Sequence, residues 1–126
     1  MLPESDVVRL RHMLDVAHEA VAYAHGLTRA DLSRDTRTAR ALTACLMVLG
    51  EAANAVSRDT QLAHPQVAWS AIIGMRHRLI HVYFDTDYDV VWSTAQEDLP
   101  DLIPQLEQLL AEEGGDEPET CPSPLP

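Results

Sequence analysis

The chain has no lysine and very little cysteine. All nine of its positively charged residues are arginines, so any cationic contact with a phosphate must come from arginine, histidine or the backbone. Cys45 and Cys121 are the two cysteines, and their wide separation makes neither a disulfide framework nor a zinc motif. The composition therefore predicts a cytoplasmic protein.

Long apolar runs and a basic N-terminus are also missing. No apolar stretch approaches the roughly 18 residues that a membrane span needs, and the N-terminus carries Glu4 and Asp6 where an export signal has basic residues. We therefore expect neither a membrane segment nor secretion. The formal net charge of −11 argues against a general nucleic-acid binder, because such binding normally relies on many cations.

Apolar residues recur at helical spacing along most of the chain, and no alternating strand pattern is present. The spacing predicts helices over 7–24, 36–57 and 69–82, and a further helix from 88 that Pro100 bends or restarts. The segment 28–33 is predicted to be a turn or short helical piece, and 58–66 a loop. The predicted caps are Ser5 or Asp6, Asp35 or Thr36, Asp87, and Asp98.

These segments predict an all-α fold, an antiparallel four- to five-helix bundle. We expect a helical domain over residues 1–112 and a disordered acidic tail, rich in proline and glycine, over 113–126. Leu42, Leu46, Leu49, Ala53 and Val56 are expected to face the core.

Arg76, His81 and Tyr83 form the most informative pattern in the chain. Arginine can hold a phosphate with two charged hydrogen bonds, and histidine can move a proton near neutral pH, which together describe metal-free cleavage of a phosphodiester. On an unbroken helix Arg76 and His81 would point about 140° apart. Either the helix loosens near His81, or a second protomer completes the site.

The motif and its surroundings resemble the HepT-like toxins of the HEPN superfamily, over about residues 6–110. The resemblance rests on these segments: Leu49-Gly50-Glu51-Ala52-Ala53, His64-Pro65, Trp69, Ile73-Gly74-Met75-Arg76, His81-Val82-Tyr83-Phe84, Val91-Trp92 and Glu97-Asp98-Leu99-Pro100. His77 departs from the pattern, because the residue after the motif arginine is usually asparagine in this family.

The resemblance implies a toxin of a toxin–antitoxin pair that acts as a metal-independent endoribonuclease without a cofactor, with its site shared across a homodimer or higher homo-oligomer. Arg76 and His81 would be the catalytic residues. One histidine would take the proton of a ribose 2′-OH while Arg76 stabilises the phosphorane, and the product would be a 2′,3′-cyclic phosphate. The implied antitoxin is a minimal nucleotidyltransferase that neutralises the toxin by transferring AMP from ATP to Tyr83.

Two further residues are predicted to support the site. Glu51 lies in a small, apolar stretch, where a carboxylate is costly unless it is paired, and it could buttress Arg76 or His81; an exposed position without a partner is the alternative. His77 adjoins the motif arginine. Gly50 suggests that two helices approach closely at the same level.

Other functions remain open from the sequence. The chain could be a non-catalytic HEPN module that binds a nucleotide or a partner. It could also be a metal-dependent hydrolase, with His77 and His81 as a helical ligand pair and His64, Glu51 or an aspartate of 85–89 as the third ligand; the favoured interpretation has no metal.

Arginines also recur along residues 29–40. They could contact RNA or an acidic partner, or could form a solvated face neutralised by Asp31 and Asp35; they are Arg29, Arg34, Arg37 and Arg40. Trp69 and Trp92 are expected in the core, with base stacking as the alternative.

Overall fold

The computed structural model describes residues 2–82 and 85–114. Within these ranges the helices are α1 (Glu4–Ala24), α2 (Arg29–Arg34), α3 (Thr36–Ala55), α4 (Arg58–Ala63), α5 (Trp69–Ile73), α6 (Met75–Leu79), α7 (Tyr88–Ser93) and α8 (Leu99–Gly114). A two-stranded antiparallel ribbon, β1 (Ile80–Val82) and β2 (Asp85–Thr86), lies between α6 and α7. The predicted all-α helical bundle is confirmed, and the small ribbon is an addition that the helical spacing did not indicate.

The core forms where α1 packs against α3 and α8. Leu10, Met13 and Ala17 of α1 are fully buried, as their helical spacing predicts. The residues of α3 expected inside are also buried, from Leu42 to Val56 just beyond its end. Val8, whose spacing also places it near this face, is 56% exposed.

The prediction that Asp6 caps the first helix is wrong. Asp6 is buried, and its side chain connects two segments that are distant in sequence. Pro3 precedes α1 without a side-chain cap, and Asp6 lies inside the helix at 2% exposure. Its carboxylate accepts hydrogen bonds from the Ser57 backbone N–H (2.9 Å), the Ser57 hydroxyl (2.6 Å) and the Thr60 hydroxyl (2.6 Å). This Asp6 cluster (Asp6, Ser57 and Thr60) fixes α1 to the start of α4.

The segment 58–66, predicted as a loop, contains α4 over its first six residues. Ser57 caps α4, because its hydroxyl accepts a hydrogen bond from the Thr60 backbone N–H. The serine thus serves both as cap and as donor to Asp6. Trp69 closes the segment: it is buried, as expected, and its indole N–H donates to the His64 carbonyl at 2.9 Å.

The single helix predicted over 69–82 is wrong. The helix is interrupted at Gly74, resumes as α6 and ends at Leu79, after which Ile80 adopts extended backbone angles (φ −118°, ψ 111°). In the ribbon Ile80 pairs with Thr86 and Val82 with Asp85, and the Asp87 N–H donates to the Leu79 carbonyl at 2.6 Å. The β-branched residues at 80 and 82 favour this extended form.

Beyond the ribbon, Asp87 caps α7 as predicted, accepting from the backbone N–H groups of Asp89 and Val90. Residues Thr94–Asp98 form a π-helical turn before α8 begins at Leu99. The helix predicted to restart near Pro100 is therefore present. Asp98 was predicted to cap this helix, but it is the last residue of the π-helical turn.

The helix α8 extends to Gly114, and residues 115–126 lie outside the described residues. The division into a domain over 1–112 and a tail over 113–126 stays a prediction. Among the described helices, none is long and apolar enough to span a bilayer.

Candidate active site

The site begins with a close contact between α3 and the chain around α5 and α6. A Cβ atom at Gly50 would lie 2.8 Å from the Ile72 carbonyl oxygen and 3.3 Å from Met75 Cβ. These distances leave no room for a side chain. The close helix approach predicted at Gly50 is confirmed, and it sets α6 directly against α3.

Arg76 lies on the surface formed by this contact. It is exposed, and it lines a concavity of about 160 Å³ with Glu51 and His77, which are exposed too. Met47 and Asn54 complete the α3 side. The structure therefore brings together Arg76 and both residues predicted to support it. We call this feature the Arg76 concavity.

The expected pairing of Glu51 is not present within the described residues. No ion pair joins Glu51 to Arg76, and neither residue has a hydrogen-bonded side-chain partner there. Glu51 avoids the cost of an unpaired buried carboxylate because it is exposed, which is the alternative considered from the sequence. No described side chain uses the hydrogen-bonding capacity of the Arg76 guanidinium.

The structure describes only the backbone of His81 and does not describe Tyr83. The backbone of His81 lies in β1. The 140° separation expected on an unbroken helix does not apply, because α6 ends at Leu79. The change from helix to strand is the first of the two possibilities that the spacing left open, so helix geometry alone no longer requires a second protomer.

The metal-site hypothesis loses its geometric basis. It placed His77 and His81 four residues apart on one helix face, yet His77 is in α6 and His81 is in β1. Among the side chains that the structure describes, which do not include those of His81 and Asp85, no group of three histidine, cysteine, aspartate or glutamate residues is arranged to hold a metal ion.

Within the described residues, some members of the arginine-rich stretch form ion pairs and others form none. Arg29 Nε donates to an Asp89 carboxylate oxygen at 2.7 Å, and its guanidinium carbon lies 5.9 Å from the centre of the Tyr88 ring. Arg34 pairs with Asp31 at 3.7 Å, one of the two neutralising partners expected. Arg29 therefore joins α2 to α7 and is committed to the fold, whereas Arg37 and Arg40 remain exposed.

Two residues that the sequence did not single out lie on the other side of α6. Arg78 follows the motif arginine by two positions, about 200° around the helix, and lines a separate cleft together with Thr94. Arg78 could have been noticed as a second arginine in the motif segment. No sequence pattern identifies Thr94, because its environment is created by the π-helical turn.

Comparison with known proteins places these features in a family. The model of the family described as ribonuclease HepT-like matches residues 13–109. A protein named as a candidate RNase from Caldanaerobacter subterraneus subsp. tengcongensis is 31% identical over 104 residues, covering 82% of this chain and 93% of the relative. A protein named "Probable ribonuclease HepT" from Thermococcus cleftensis is 34% identical over 102 residues, covering 78% of this chain and 92% of the relative.

A candidate RNase from Methanocaldococcus jannaschii is 28% identical over 118 residues, covering 92% of this chain and 98% of the relative. No solved structure gives a significant match. The family model covers most of the chain, including α3, the Arg76 concavity and β1. This chain belongs to the HepT-like ribonuclease family of the HEPN superfamily.

Proposed function

We propose that this chain is the toxin of a toxin–antitoxin pair and acts as a metal-independent endoribonuclease at Arg76 and His81. The observation that carries the proposal is the exposed Arg76, which has no partner among the described side chains, on a short helix that gives way to the strand bearing His81. Membership in a ribonuclease family supports the RNA substrate.

The chemistry follows from the two side chains. A neutral His81 imidazole removes the proton of a ribose 2′-OH, and the 2′ oxygen attacks the adjacent phosphorus. Arg76 stabilises the extra negative charge on the phosphorane through its paired N–H donors. When the P–O5′ bond breaks, the leaving oxygen takes a proton, which leaves a 2′,3′-cyclic phosphate and a 5′-hydroxyl.

The second proton transfer is the reason to propose a shared site. Each chain has one histidine in the matching motif position, and the reaction needs both a base and an acid. We assign the acid to His81 of the partner subunit in a homodimer. His77 is the competing acid within one chain, because it lines the same concavity as Arg76.

A mixing experiment separates these assignments. If two chains share the site, an active dimer needs His81 on both chains. Refolding wild type together with an equal amount of His81→Ala should then leave about a quarter of the RNA cleavage given by the same total amount of wild type, because chains pair at random and only pure wild-type dimers are active. His12→Ala is the matched control, since His12 is exposed on α1, and mixing it with wild type should leave full cleavage. A remaining cleavage of about half, together with inactivity of His77→Ala, would contradict the shared site and support His77 as the acid.

Neutralisation is proposed to occur at Tyr83, the residue that follows β1 in the chain. A nucleotidyltransferase antitoxin would direct the tyrosine hydroxyl to the α-phosphorus of ATP; a Tyr–O–P bond forms, pyrophosphate leaves, and the hydroxyl proton passes to solvent or a base. The added nucleotide would attach an anion to a residue that is close in sequence to Arg76, the residue proposed to bind RNA phosphate.

Tyr23 provides a matched control for this modification. It is exposed, and the nearby Glu19 carboxylate raises the pKa of its hydroxyl, which makes its phenolate harder to form. With the antitoxin, ATP and Mg²⁺, the wild type and Tyr23→Phe should gain the mass of AMP less water, or multiples of it, while Tyr83→Phe should gain none. Tyr83→Phe should also stay toxic when the antitoxin is co-expressed.

Growth provides the test of the toxin function as a whole. Induced expression without the antitoxin should slow growth, and His81→Ala should relieve this while remaining folded. If wild type and His81→Ala are equally harmless, yet both bind RNA, the chain is a non-catalytic binding module.

A further inference from the structure

A cleft of about 340 Å³ opens on the side of α6 opposite the Arg76 concavity. Its volume is in the range of small-molecule sites. Its floor and walls are largely apolar and come from α3, α5, α6 and α8: Leu49, Ala71, Ile72, Met75, Leu99 and Leu102. Apart from Thr94, its polar residues are partly or fully exposed: Gln66, Arg78, Asp98, Asp101 and Gln105. We call this feature the Arg78 cleft.

Thr94 contributes a polar group that the fold does not use. It lines the cleft, is 0% exposed, and its hydroxyl has no hydrogen-bond partner among the described residues. A helical threonine commonly donates to the carbonyl four residues earlier. Here the Val90 carbonyl instead accepts from the Thr94 N–H and the Ser93 hydroxyl. An unpaired buried hydroxyl costs stability.

The backbone around Thr94 is also unusual. It begins a π-helical turn, a feature that is rare and is found frequently at functional sites. The π-helical turn and the unsatisfied hydroxyl occur together at Thr94, which lines the cleft.

Arg78 adds a charged group at the cleft. It is half-buried, and its Nη1 lies 4.0 Å from Met75 Sδ, a weak contact. Although Asp98 and Asp101 line the same cleft, Arg78 pairs with neither of them. Its guanidinium is therefore available to an anion at the α6 side of the opening.

We infer that the Arg78 cleft binds a nucleobase of the RNA substrate close to the scissile bond, an inference that rests on the proposed function. A nucleotide combines a flat ring, whose faces suit the apolar walls, with a polar edge that suits the Thr94 hydroxyl and a phosphate that suits Arg78. The helix α6 separates the cleft from the Arg76 concavity. A helix is about 10 Å wide, and a single strand of RNA can span this width with a few nucleotides.

The acidic residues at the opening determine what enters. Asp98 and Asp101 repel a phosphate, so the neutral base inserts while the strand backbone stays beside Arg78. Their carboxylates accept hydrogen bonds but donate none when ionised. Adenine, cytosine and guanine each present an exocyclic amino group to these carboxylates. Uracil presents a single donor, N3–H, between two carbonyl oxygens that the carboxylates repel, so it should bind less well.

Methionine methyl signals can test this inference without any cleavage. Met75 lines the Arg78 cleft, Met47 lines the Arg76 concavity and Met13 is fully buried in the core. In the His81→Ala protein with ¹³C-labelled methionine methyl groups, short RNAs rich in adenine or cytosine should shift Met75 and Met47 but not Met13. Oligouridine should shift Met47 alone.

The other outcomes are equally definite. Movement of Met47 without Met75 for every RNA would overturn the base site and leave the proposed function intact. If no RNA moves either signal, the proposed function fails, and the base site fails with it. Adenosine and cytidine monophosphates, tested alone, show whether the cleft binds a free nucleotide. A shift of Met75 at comparable concentration means that a free nucleotide is sufficient. No shift means that binding requires the RNA strand.

Thr94→Val replaces the hydroxyl with a methyl group of similar size and provides the second test. Its thermal unfolding midpoint should equal or exceed that of the wild type, because an unsatisfied group is removed. Cleavage at preferred sites is mapped by sequencing the 5′-hydroxyl ends. Its rate should fall about five- to tenfold, which corresponds to the loss of one hydrogen bond. The preference against uracil should also weaken.

Thr43→Val is the matched control, since its hydroxyl donates to the Ala39 carbonyl at 2.8 Å on α3. It should leave the cleavage pattern unchanged. A Thr94→Val protein with a lowered unfolding midpoint and an unchanged cleavage pattern would show that the hydroxyl is structural, and would overturn the inference.

Discussion

The Asp6 cluster and the surroundings of α6 differ in whether their polar side chains have hydrogen-bond partners within the fold. Asp6 is buried, but its carboxylate accepts three hydrogen bonds from Ser57 and Thr60. Around α6, Arg76 and Thr94 have no such partners among the described residues. Polar groups that the fold satisfies hold helices together, whereas groups that it leaves unsatisfied are available to a ligand. The two regions should therefore respond differently to substitution.

The largest effect on stability is expected at Asp6. Asp6→Ala leaves the donors of Ser57 and Thr60 without their acceptor and should lower the free energy of unfolding by about 3 kcal/mol. Chemical denaturation measures this. At a temperature where the variant is still folded, its RNA cleavage should match that of the wild type; a large loss of activity in the folded variant would break the distinction between the two regions.

Gly50→Ala should have the next largest effect. The added Cβ would meet the Ile72 carbonyl oxygen at 2.8 Å, so α5 and α6 must move away from α3, at a cost of about 2 kcal/mol. Because α6 carries Arg76, this substitution should reduce both stability and cleavage. Ala53→Gly, also on α3, is a comparison that removes buried contacts without adding a clash. A Gly50→Ala protein as stable as the wild type would show that the contact is looser than described.

Acid should weaken the Asp6 cluster selectively. Burial raises the pKa of the Asp6 carboxyl, but the hydrogen bonds from Ser57 and Thr60 outweigh it and leave the pKa below its usual value of 3.8. A carboxyl whose pKa is lower in the folded state stabilises the fold above its unfolded pKa, and this contribution is lost as pH falls.

The difference in unfolding free energy between wild type and Asp6→Asn should therefore be constant from neutral pH to about pH 5 and shrink below about pH 4. Subtracting the two proteins removes the contributions of the other carboxylates. A difference that grows as pH falls would mean that the hydrogen bonds do not favour the ionised form.

The smallest effect on stability is expected at Arg76. An exposed side chain with no partner among the described residues should change the unfolding free energy by less than about 0.5 kcal/mol when it is replaced by alanine. Arg29→Ala is the matched comparison, because Arg29 is tied to Asp89 and Tyr88. Its loss should cost more, about 1 kcal/mol. The reverse order would mean that Arg76 serves the fold.

The sequence predicted the core and the close helix contact at Gly50 better than the local backbone geometry around the candidate site. Helical spacing identified the buried faces of α1 and α3, and the small residue at Gly50 indicated the close helix contact. The spacing did not show that α6 ends at Leu79. Helical propensity competes there with the β-branched residues 80 and 82, and with a backbone hydrogen bond from Asp87 to Leu79 that forms only when the chain turns back on itself.

Asp6 illustrates the same limit. Its position near the start of α1 suited a cap, and its actual partners are 51 and 54 residues away in sequence. Thr94 could not have been selected either, because the loss of its usual acceptor arises only in the folded π-helical turn. The tail beyond Gly114 and the Tyr83 side chain lie outside the described residues, so their predicted roles rest on the sequence.

The central claim is that the motif histidine moves a proton in metal-free RNA cleavage. The most direct measurement is the rate of cleavage of a defined RNA by purified wild type, His81→Ala and His12→Ala in excess chelator, with the ends of the products identified. We predict equal rates for wild type and His12→Ala, 2′,3′-cyclic phosphate ends, and a loss of at least about a hundredfold in His81→Ala. Full activity in His81→Ala, or loss of wild-type activity with the chelator, would contradict the account.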